Sequence, residues 1–319
     1  MTPTPVGDRG DLCLHHQYQQ RKPPFELRND PMKRKKNFWI LTAHCPSQLG
    51  TVDVVTRFLA DSQHYVGEIQ SFDDQEVDHF SLRVEFYPLD DNFDPEQFNA
   101  EFEPRAKAFG MQWQLKAPQS KPRVAVMVSK YAHCLNDLLY QYRTGELDIE
   151  IPLIISNHAD LQHLADWHGI PYYHLPVSAE TKPEQEAKVW ELIQEHGCEL
   201  VVLARYMQVL SDNLCKKLSG RAINIHHSLL PGFKGAKPYH QAWSKGVKLV
   251  GATAHYVNSD LDEGPIITQG VQAVDHSHYP EDLVAKGQHV EALTLTKAVR
   301  YHIEKRVSLH GHRTVVFAD

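Results

Sequence analysis

The chain has 319 residues, and at about 100 to 200 residues per domain this length predicts two domains. Its 33 lysines and arginines against 40 aspartates and glutamates give a net charge of −7, which makes nucleic acid a poor partner. No stretch approaches the roughly 20 apolar residues of a membrane span, and five scattered cysteines without a C-x-x-C pair argue against a disulfide framework, so we expect a cytoplasmic protein without a membrane partner.

Residues 1–36 are polar and aperiodic, and they end in the basic run 33–36. This texture predicts a polar N-terminal arm without a core of its own. The basic run is either a solvated charge cluster or an import or polyanion-binding patch, and the acidic balance of the chain favours the solvated cluster.

From Asn37 onward, strand-like and helix-like segments follow one another in the order βαββαβ. The segment 80–86 alternates apolar and polar residues, as a half-buried strand does. The first helix is expected to bury one face, formed by Leu49, Val52, Val55, Phe58 and Leu59. The pattern predicts a ferredoxin-like domain over residues 37–116.

This order, together with the turn Cys45-Pro46-Ser47-Gln48-Leu49-Gly50, resembles the ACT family of small regulatory modules. The resemblance implies a homodimer or larger homo-oligomer. It also implies an amino-acid effector near the turn, with Cys45, Leu49 and Gly50 as candidate contacts. A ferredoxin-like domain used only for oligomerisation is an equal alternative.

The polar, proline-bounded segment 117–122 predicts a linker, and a second domain is expected over 123–319. Short apolar runs alternate there with amphipathic segments, which is typical of a doubly wound, mostly parallel, Rossmann-like sheet in an α/β domain. Ligands of such sheets bind at the carboxyl ends of the strands. The chain has no G-x-G-x-x-G motif, no P-loop and no G-x-S-x-G motif, so we expect no permanently bound cofactor.

Polar residues follow one of the apolar runs and form a candidate catalytic set. Asn224 and His226 alternate at the end of a predicted strand, so they face one cleft. The amide can donate to an oxygen that becomes an oxyanion, and the imidazole can move protons near neutral pH. Asp262, in an acidic turn downstream, can hold His226 in one tautomer, although a turn-capping aspartate is the simpler interpretation of Asp262 alone. His227 is expected to pack on the opposite face.

The chain has 21 histidines, which raises the question of a metal centre. Candidate ligands are His226, His227, His240 and His255. Neither an H-E-x-x-H nor an H-x-x-E-H pair occurs, and Asn224 would be an unusual ligand, so we expect no metal.

The block NIHHSLLPGFKG, followed by GATAHYVNSDLDEGPIITQ, resembles the signature of the folate-dependent formyltransferase family. The resemblance covers the chain from Arg123 to the C-terminus. It implies that Asn224, His226 and Asp262 are catalytic. It further implies that 10-formyltetrahydrofolate lies against the segment 205–210, with Met207, Val209, Leu210 and His255 as substrate contacts and Gly235 shaping the mouth of the site.

The acceptor side departs from that family. Glycinamide ribonucleotide formyltransferases have a Gly-Asn-Gly-Ser-Asn-type loop around the acceptor's phosphate, whereas this chain has the glycine-free segment 129–137. Without an amine pocket, water is the available nucleophile. His133 and Cys134, in that segment, are expected to line the pocket without covalent chemistry.

An ACT-like module fused to such a domain, with Ser-Lys-x-x-His-Cys-Leu-x-Asp-Leu-Leu at the join, resembles the formyltetrahydrofolate deformylase family. The resemblance implies hydrolysis of 10-formyltetrahydrofolate to tetrahydrofolate and formate, with the formate available to purine synthesis. Two alternatives remain open: a formyltransferase that acts on another amine, and an amino-acid-binding regulatory protein whose catalytic domain is vestigial.

Overall fold

The computed structural model describes residues 38–89, 93–232 and 238–318. The expected arm at 1–36 and the candidate Gly235 lie outside these residues. The elements, in chain order, are β1 Trp39–Cys45, α1 Thr51–Asp61, β2 His64–Asp74, β3 His79–Pro88, α2 Pro95–Ala108, β4 Gln112–Lys116, β5 Arg123–Val128, α3 His133–Thr144, β6 Glu150–Ser156, α4 Gln162–His168, β7 Tyr172–His174, α5 Lys182–Glu195, β8 Leu200–Leu203, α6 Asp212–Lys217, β9 Ala222–His226, α7 Pro238–Lys245, β10 Leu249–Tyr256, β11 Ile266–Ala273, α8 Pro280–Ile303, β12 Val307–His310 and β13 Arg313–Val316. Among the described helices, none combines the length and the apolar character needed to cross a membrane.

The N-terminal unit is an antiparallel sheet with strand order β2-β3-β1-β4, covered by α1 and α2. Its core is aromatic: the ring of Phe58 on α1 lies 5.0 Å from those of Phe98 and Phe102 on α2. Aromatic pairs at this separation stabilise a core beyond the area that they bury. The predicted βαββαβ order is confirmed.

Helix α1 corrects one detail of the prediction. Leu49 and Val52 were expected on its buried face, but Leu49 is fully exposed and Val52 is 38% exposed. The helix begins only at Thr51, after Gly50 adopts a left-handed φ of 91°, so Leu49 belongs to the preceding turn. The buried positions are Thr51, Val55, Phe58 and Leu59, and Val52 lies about 100° around the helix from Thr51.

The larger unit has a sheet with strand order β11-β10-β9-β8-β5-β6-β7. Strands β5 to β9 pair in parallel, while β10 pairs antiparallel with both β9 and β11. Separate apolar clusters cover the two faces of the parallel part. The predicted doubly wound, mostly parallel α/β fold is therefore confirmed. Helix α8, which the sequence-based prediction did not include, packs on β10, β11 and α3.

The two units meet through hydrogen bonds to the end of α8. Arg83 on β3 is 1% exposed, and its Nε donates to the Glu304 carbonyl oxygen at 3.1 Å while its Nη2 pairs with Glu85 at 2.6 Å. Lys116 on β4 donates to the Ile303 carbonyl oxygen at 2.7 Å. We call this contact between the two units the joint. Because its donors are charged and largely withdrawn from water, the joint is stable only while the acceptors at the end of α8 remain hydrogen-bonded to them.

Replacing Arg83 by leucine tests this joint. Arg83→Leu leaves the Glu85 carboxylate without its buried partner, so we expect the free energy of unfolding to fall by about 3 kcal/mol. Arg57→Leu is the matched control, because Arg57 forms an exposed pair with Asp53, and it should change stability by less than about 0.5 kcal/mol. Urea unfolding followed by circular dichroism measures both, and equal losses would contradict a joint dependent on Arg83.

Candidate active site

A cavity of about 280 Å³ opens at the carboxyl ends of β8 and β9. It brings together residues that lie far apart in the sequence, because parallel strands end at one edge of the sheet. The sequence-predicted residues that line it are Asn224, His226, His255, Asp262, Met207, Val209 and Leu210.

The Asp262 carboxylate lies at the centre of the polar side of this cavity. Its Oδ2 is 3.1 Å from His226 Nδ1, and its Oδ1 is 3.6 Å from His255 Nε2. Asn224 Nδ2 also donates to Oδ1, at 3.5 Å. Burial by itself raises the pKa of Asp262, but hydrogen bonds from the two imidazoles and their attraction hold it well below its usual value. Asp262 is therefore an ionised acceptor around which the other three side chains are arranged.

His255 is held in a defined tautomer by the backbone. Its Nδ1 lies 2.9 Å from the Tyr256 carbonyl oxygen, which accepts only from a protonated nitrogen. The other nitrogen, Nε2, lies 3.6 Å from Asp262 Oδ1 and 3.3 Å from Asn224 Nδ2, and it donates to the carboxylate when the ring carries both protons. These contacts leave the amide of Asn224 oriented with its nitrogen toward the carboxylate side of the site.

The geometry follows from the pairing of β9 with β10. Asn224 lies opposite His255 in the antiparallel register, so their side chains meet across the strands. The turn that carries Asp262 is tight: Asp262 has a left-handed φ of 59°, a region that aspartate tolerates better than most residues. A Cβ on Gly264 would lie 1.7 Å from the Tyr256 carbonyl oxygen, so only glycine lets the turn close against β10.

His226 makes a second contact through its other nitrogen, because Nε2 lies 2.9 Å from the Ser228 hydroxyl. The neutral ring with its proton on Nδ1, facing Asp262, has its lone pair on Nε2. Both ring nitrogens of His226 therefore have a partner, and the residue as a whole is 7% exposed.

His227 differs from the expectation that it packs on the opposite face. Strand β9 ends at His226, so the alternation stops there, and His227 borders the same cavity with its ring centroid 5.1 Å from that of His226. Arg205 Nη1 donates to His227 Nδ1 at 2.7 Å. Burial, the Arg205 charge and the His226 ring lower the pKa of His227 to about 4, so His227 is neutral at neutral pH.

A second buried carboxylate, Glu291 on α8, anchors Arg205. Glu291 is 1% exposed, and Arg205 Nε lies 3.2 Å from its Oε2. His133 Nε2 donates to Oε2 at 2.8 Å, and the Tyr239 hydroxyl donates to Oε1 at 2.6 Å. Burial raises the pKa of Glu291, but the His133 hydrogen bond and the Arg205 charge outweigh this effect and lower it.

His133 and Cys134 are not brought into the cavity of Asp262. Cys134 is fully buried in the apolar cluster around β5, and burial raises the pKa of its thiol well above the usual value. His133, Cys134 and Glu291 lie close enough to bind a metal ion together. Arg205 and two hydrogen-bond donors already occupy the carboxylate, and the thiol stays protonated, so the charge balance does not favour a cation there.

Hydrogen bonds from the sheet fix the loops around the cavity. The Ser129 hydroxyl accepts from the Met207 backbone N–H at 2.9 Å and donates to Asn157 Oδ1 at 2.6 Å. Thr253 Oγ1 accepts from the Leu230 N–H at 3.0 Å. The loop carrying Met207 is thereby attached to the end of β5.

Sequence reasoning missed the roles of Arg205, Tyr239 and Glu291 as a group. The available signal was Glu291 itself, a charged residue between Val290 and Leu295 on the buried face of α8. A buried carboxylate on an apolar helix face requires partners, which points to a functional or structural network.

The candidate effector residues lie in the N-terminal unit, at the end of β1 and the start of α1. Cys45 is buried, and burial raises the pKa of its thiol. Leu49 is fully exposed beside Gly50, which is the N-cap of α1.

Comparison with known proteins gives consistent results. The sequence profile of the formyl transferase family matches residues 122–299. A formyltetrahydrofolate deformylase of Corynebacterium sp. (strain P-1) is 52% identical over 277 residues, which are 87% of this chain and 97% of that relative. A crystal structure of a formyltetrahydrofolate deformylase from Pseudomonas putida is similar with a TM-score of 0.85 and 62% identity, over 88% of this chain and all of that one. Glycinamide ribonucleotide transformylase 1 from Symbiobacterium toebii is similar with a TM-score of 0.58 and 30% identity, over 62% of this chain and 95% of that one.

The low pKa of Asp262 predicts a pH-dependent contribution to stability. Because the folded-state pKa is depressed, the stabilisation is complete above the unfolded-state pKa of about 4 and is lost as the pH falls through the folded-state pKa. Wild type should exceed Asp262→Asn by about 1–2 kcal/mol at neutral pH, and the difference should shrink below about pH 4. Urea unfolding from pH 7 to pH 3 measures it.

Asp260→Asn is the control, because it removes the same charge from an exposed position of the same turn. It should change stability little at any pH. A difference between wild type and Asp262→Asn that is constant from pH 7 to pH 3 would show that the carboxylate is not held ionised by its neighbours.

Proposed function

This chain belongs to the formyltetrahydrofolate deformylase family, and from that premise we propose that it hydrolyses 10-formyltetrahydrofolate to tetrahydrofolate and formate at the site around Asp262. The observation that supports this site is the convergence of Asn224, His226 and His255 on one ionised carboxylate at the wall of a cavity. Such a set can hold a water molecule, move its proton and stabilise the oxyanion that its attack creates.

In the first step, a water molecule attacks the formyl carbon. Asp262 is ionised and accepts a hydrogen bond, so it orients the water, and His226 takes the proton that the water loses. The Asp262 carboxylate faces His226 Nδ1 and stabilises the imidazolium that results, as the aspartate does in a catalytic triad. The C–O bond forms as the carbonyl π pair moves onto the formyl oxygen.

In the second step, the tetrahedral intermediate collapses. Protonated His226 and the N–H of Asn224 that does not face Asp262 donate to the oxyanion while it exists. The oxyanion pair re-forms the carbonyl, the C–N bond breaks, and N10 of the folate takes the proton back from His226. Tetrahydrofolate and formic acid leave, the acid loses its remaining proton to solvent to become formate, and the site returns to its starting protonation state.

The cavity supplies a binding site for the folate. The segment 205–210 forms one wall and the turn 257–262 forms another, so backbone groups of two loops face a flat ring between them. Met207, Val209 and Leu261 are 51%, 54% and 63% exposed at the cavity rim, where they provide apolar surface for the remainder of the substrate. We assign Leu210 and His255 to the inner wall.

The acceptor side favours water over an amine. The segment 129–132, which follows β5, contains no glycine, and Tyr131 packs over the Arg205 guanidinium at 5.2 Å. A glycine-rich loop points several backbone N–H groups at a phosphate. The segment 129–132, without glycine, does not present its N–H groups in this way. Arg205 and His133, which lie beside the catalytic set, instead pair with the Glu291 carboxylate.

The remaining assignments are proposals of the same kind. We propose that residues 37–116 and 123–319 act as separate domains joined by 117–122, and that an amino-acid effector binds at Cys45, Leu49 and Gly50. We propose further that the protein works in the cytoplasm without a permanently bound cofactor or metal, and that the subunits form a homo-oligomer. Edge strand β2 supports the last point, because Tyr65, Ile69 and Phe72 are exposed along it.

Release of formate and tetrahydrofolate without any added amine tests the hydrolase. Wild type should release both, and Asn224→Ala and His226→Ala should each lose roughly a hundredfold or more in turnover, since each removes a donor or a proton carrier from the transition state. The control is His174→Ala, which truncates an exposed histidine on β7 and should retain activity.

Binding of the folate, measured by calorimetry, separates the alternatives. If wild type binds it and releases nothing until an amine is added, the protein is a transferase. If wild type does not bind it, the catalytic domain is vestigial. Near-normal turnover in His226→Ala would overturn the assignment of the proton carrier.

Assembly through β2 is tested by Ile69→Lys. A charge in the centre of an exposed edge strand opposes pairing of that edge, so the variant should sediment as a smaller species than wild type at the same concentration. Leu293→Lys, on the exposed side of α8, is the control and should sediment as wild type does. A wild-type chain that sediments as a monomer would contradict the proposal.

A further inference from the structure

A second cavity, of about 390 Å³, lies between the N-terminal sheet and the larger unit. Strands β1 and β4 form one side, and the end of α8 with β12 forms the other. The described residues that line it are Thr42, Ala43, His44, Leu82, Gln112, Trp113, Gln114, Gly220, Tyr256, His302, Lys305, Val307, Ser308, Leu309 and Phe317. None of them belongs to the catalytic set, so this cavity is separate from the site of Asp262.

The lining carries one charge, and that charge is positive. Lys305 is the cation, and no aspartate or glutamate is among the described lining residues. No described residue forms a hydrogen bond or ion pair with the Lys305 ammonium. Burial lowers the pKa of Lys305, and Glu199, whose charge partly offsets this, is not part of the lining. A desolvated ammonium without an adjacent carboxylate is relieved by a bound anion.

A second cation reinforces this potential. Lys116, at the end of β4, donates to the Ile303 carbonyl oxygen, and burial followed by the charge of Lys305 lowers its pKa. The two ammonium groups therefore repel each other across the joint. An anion between the units would stabilise both.

Neutral donors complete the polar side. The Tyr256 hydroxyl and His302 Nδ1 are 2.7 Å apart, and a hydroxyl that donates to Nδ1 leaves the proton of the neutral ring on Nε2. Burial and the two lysines lower the pKa of His302 to about 4, so the ring is neutral. Gln112 accepts from His44 through Oε1 at 3.1 Å, which leaves its NH2 group as a donor.

The rest of the lining is apolar, with Leu82, Trp113, Leu309 and Phe317 among it. A ligand that fits both the polar side with Lys305 and the apolar side of the lining has one carboxylate and a short apolar tail. An α-amino acid shares the carboxylate, but its ammonium group would meet no aspartate or glutamate in this lining. We propose that this interdomain cavity binds a small monocarboxylate, with its charged end on Lys305 and its apolar end against Trp113 and Leu309.

Calorimetry on the full chain tests the proposal with three probes that share one carbon skeleton. These are 4-methylpentanoate, 4-methylpentan-1-ol and L-leucine. We expect 4-methylpentanoate to bind at least about tenfold more tightly than the alcohol, because only the acid pairs with Lys305, and more tightly than leucine. The readout is binding rather than turnover, so it does not depend on the proposed hydrolase.

Two variants place the ligand in the cavity. Lys305→Met should weaken 4-methylpentanoate binding by about tenfold or more, whereas Lys188→Met, which removes an exposed lysine on α5, should leave it unchanged. Gln114→Glu keeps the side-chain shape and adds a negative charge to the lining, so it should also weaken binding. Thermal unfolding of each variant reports whether it is folded.

Several results would overturn the proposal. One is a wild-type chain that does not bind 4-methylpentanoate at concentrations on the order of 10 mM. Another is that folded Lys305→Met and folded Gln114→Glu bind 4-methylpentanoate as tightly as wild type does. Leucine binding as tightly as the acid would overturn the assignment to a plain monocarboxylate and point to an amino-acid site.

Discussion

An ionised carboxylate that is largely withdrawn from water needs donors, and the site is arranged around that need at Asp262. Desolvation alone would raise the pKa of Asp262, yet His226 and His255 hold it well below the usual range. In return, the carboxylate fixes the orientation of His226 Nδ1 and receives one hydrogen of the Asn224 amide. The functional groups of the proposed hydrolase are therefore preorganised before any substrate enters, which is what makes electrostatic stabilisation of a transition state effective.

The backbone makes this arrangement possible in two ways. The antiparallel pairing of β10 with β9, the last of the parallel strands, places His255 opposite Asn224. The turn after β10 returns Asp262 to the same edge, and it does so through a left-handed residue and through Gly264, which has no Cβ to meet the Tyr256 carbonyl oxygen. A parallel partner strand would have needed a long crossover instead of this short turn.

A second buried carboxylate, Glu291, organises the other side of the cavity. It brings α8 into contact with His133 and with Arg205, and burial together with the Arg205 charge keeps His227 neutral. Strand β10 then connects the two cavities, because His255 faces the first and Tyr256, the next residue, lines the second. We propose a folate site in the first cavity and a carboxylate site in the second. The two sites are separate because successive side chains of β10 point to opposite faces of the sheet.

The sequence by itself determined the order of the elements in the N-terminal unit and the class of both sheets, and it predicted Asn224, His226 and Asp262 as the site residues. These depend on local periodicity and on a motif of fixed spacing, which are properties of the chain. Only the tertiary structure decided that Leu49 is exposed, that His227 borders the cavity, that His133 and Cys134 do not, and that Glu291 reaches Arg205. Each of these depends on where an element ends or on which distant elements pack together. Burial and charge pairing between residues far apart in sequence are set by that packing, and no local pattern encodes it.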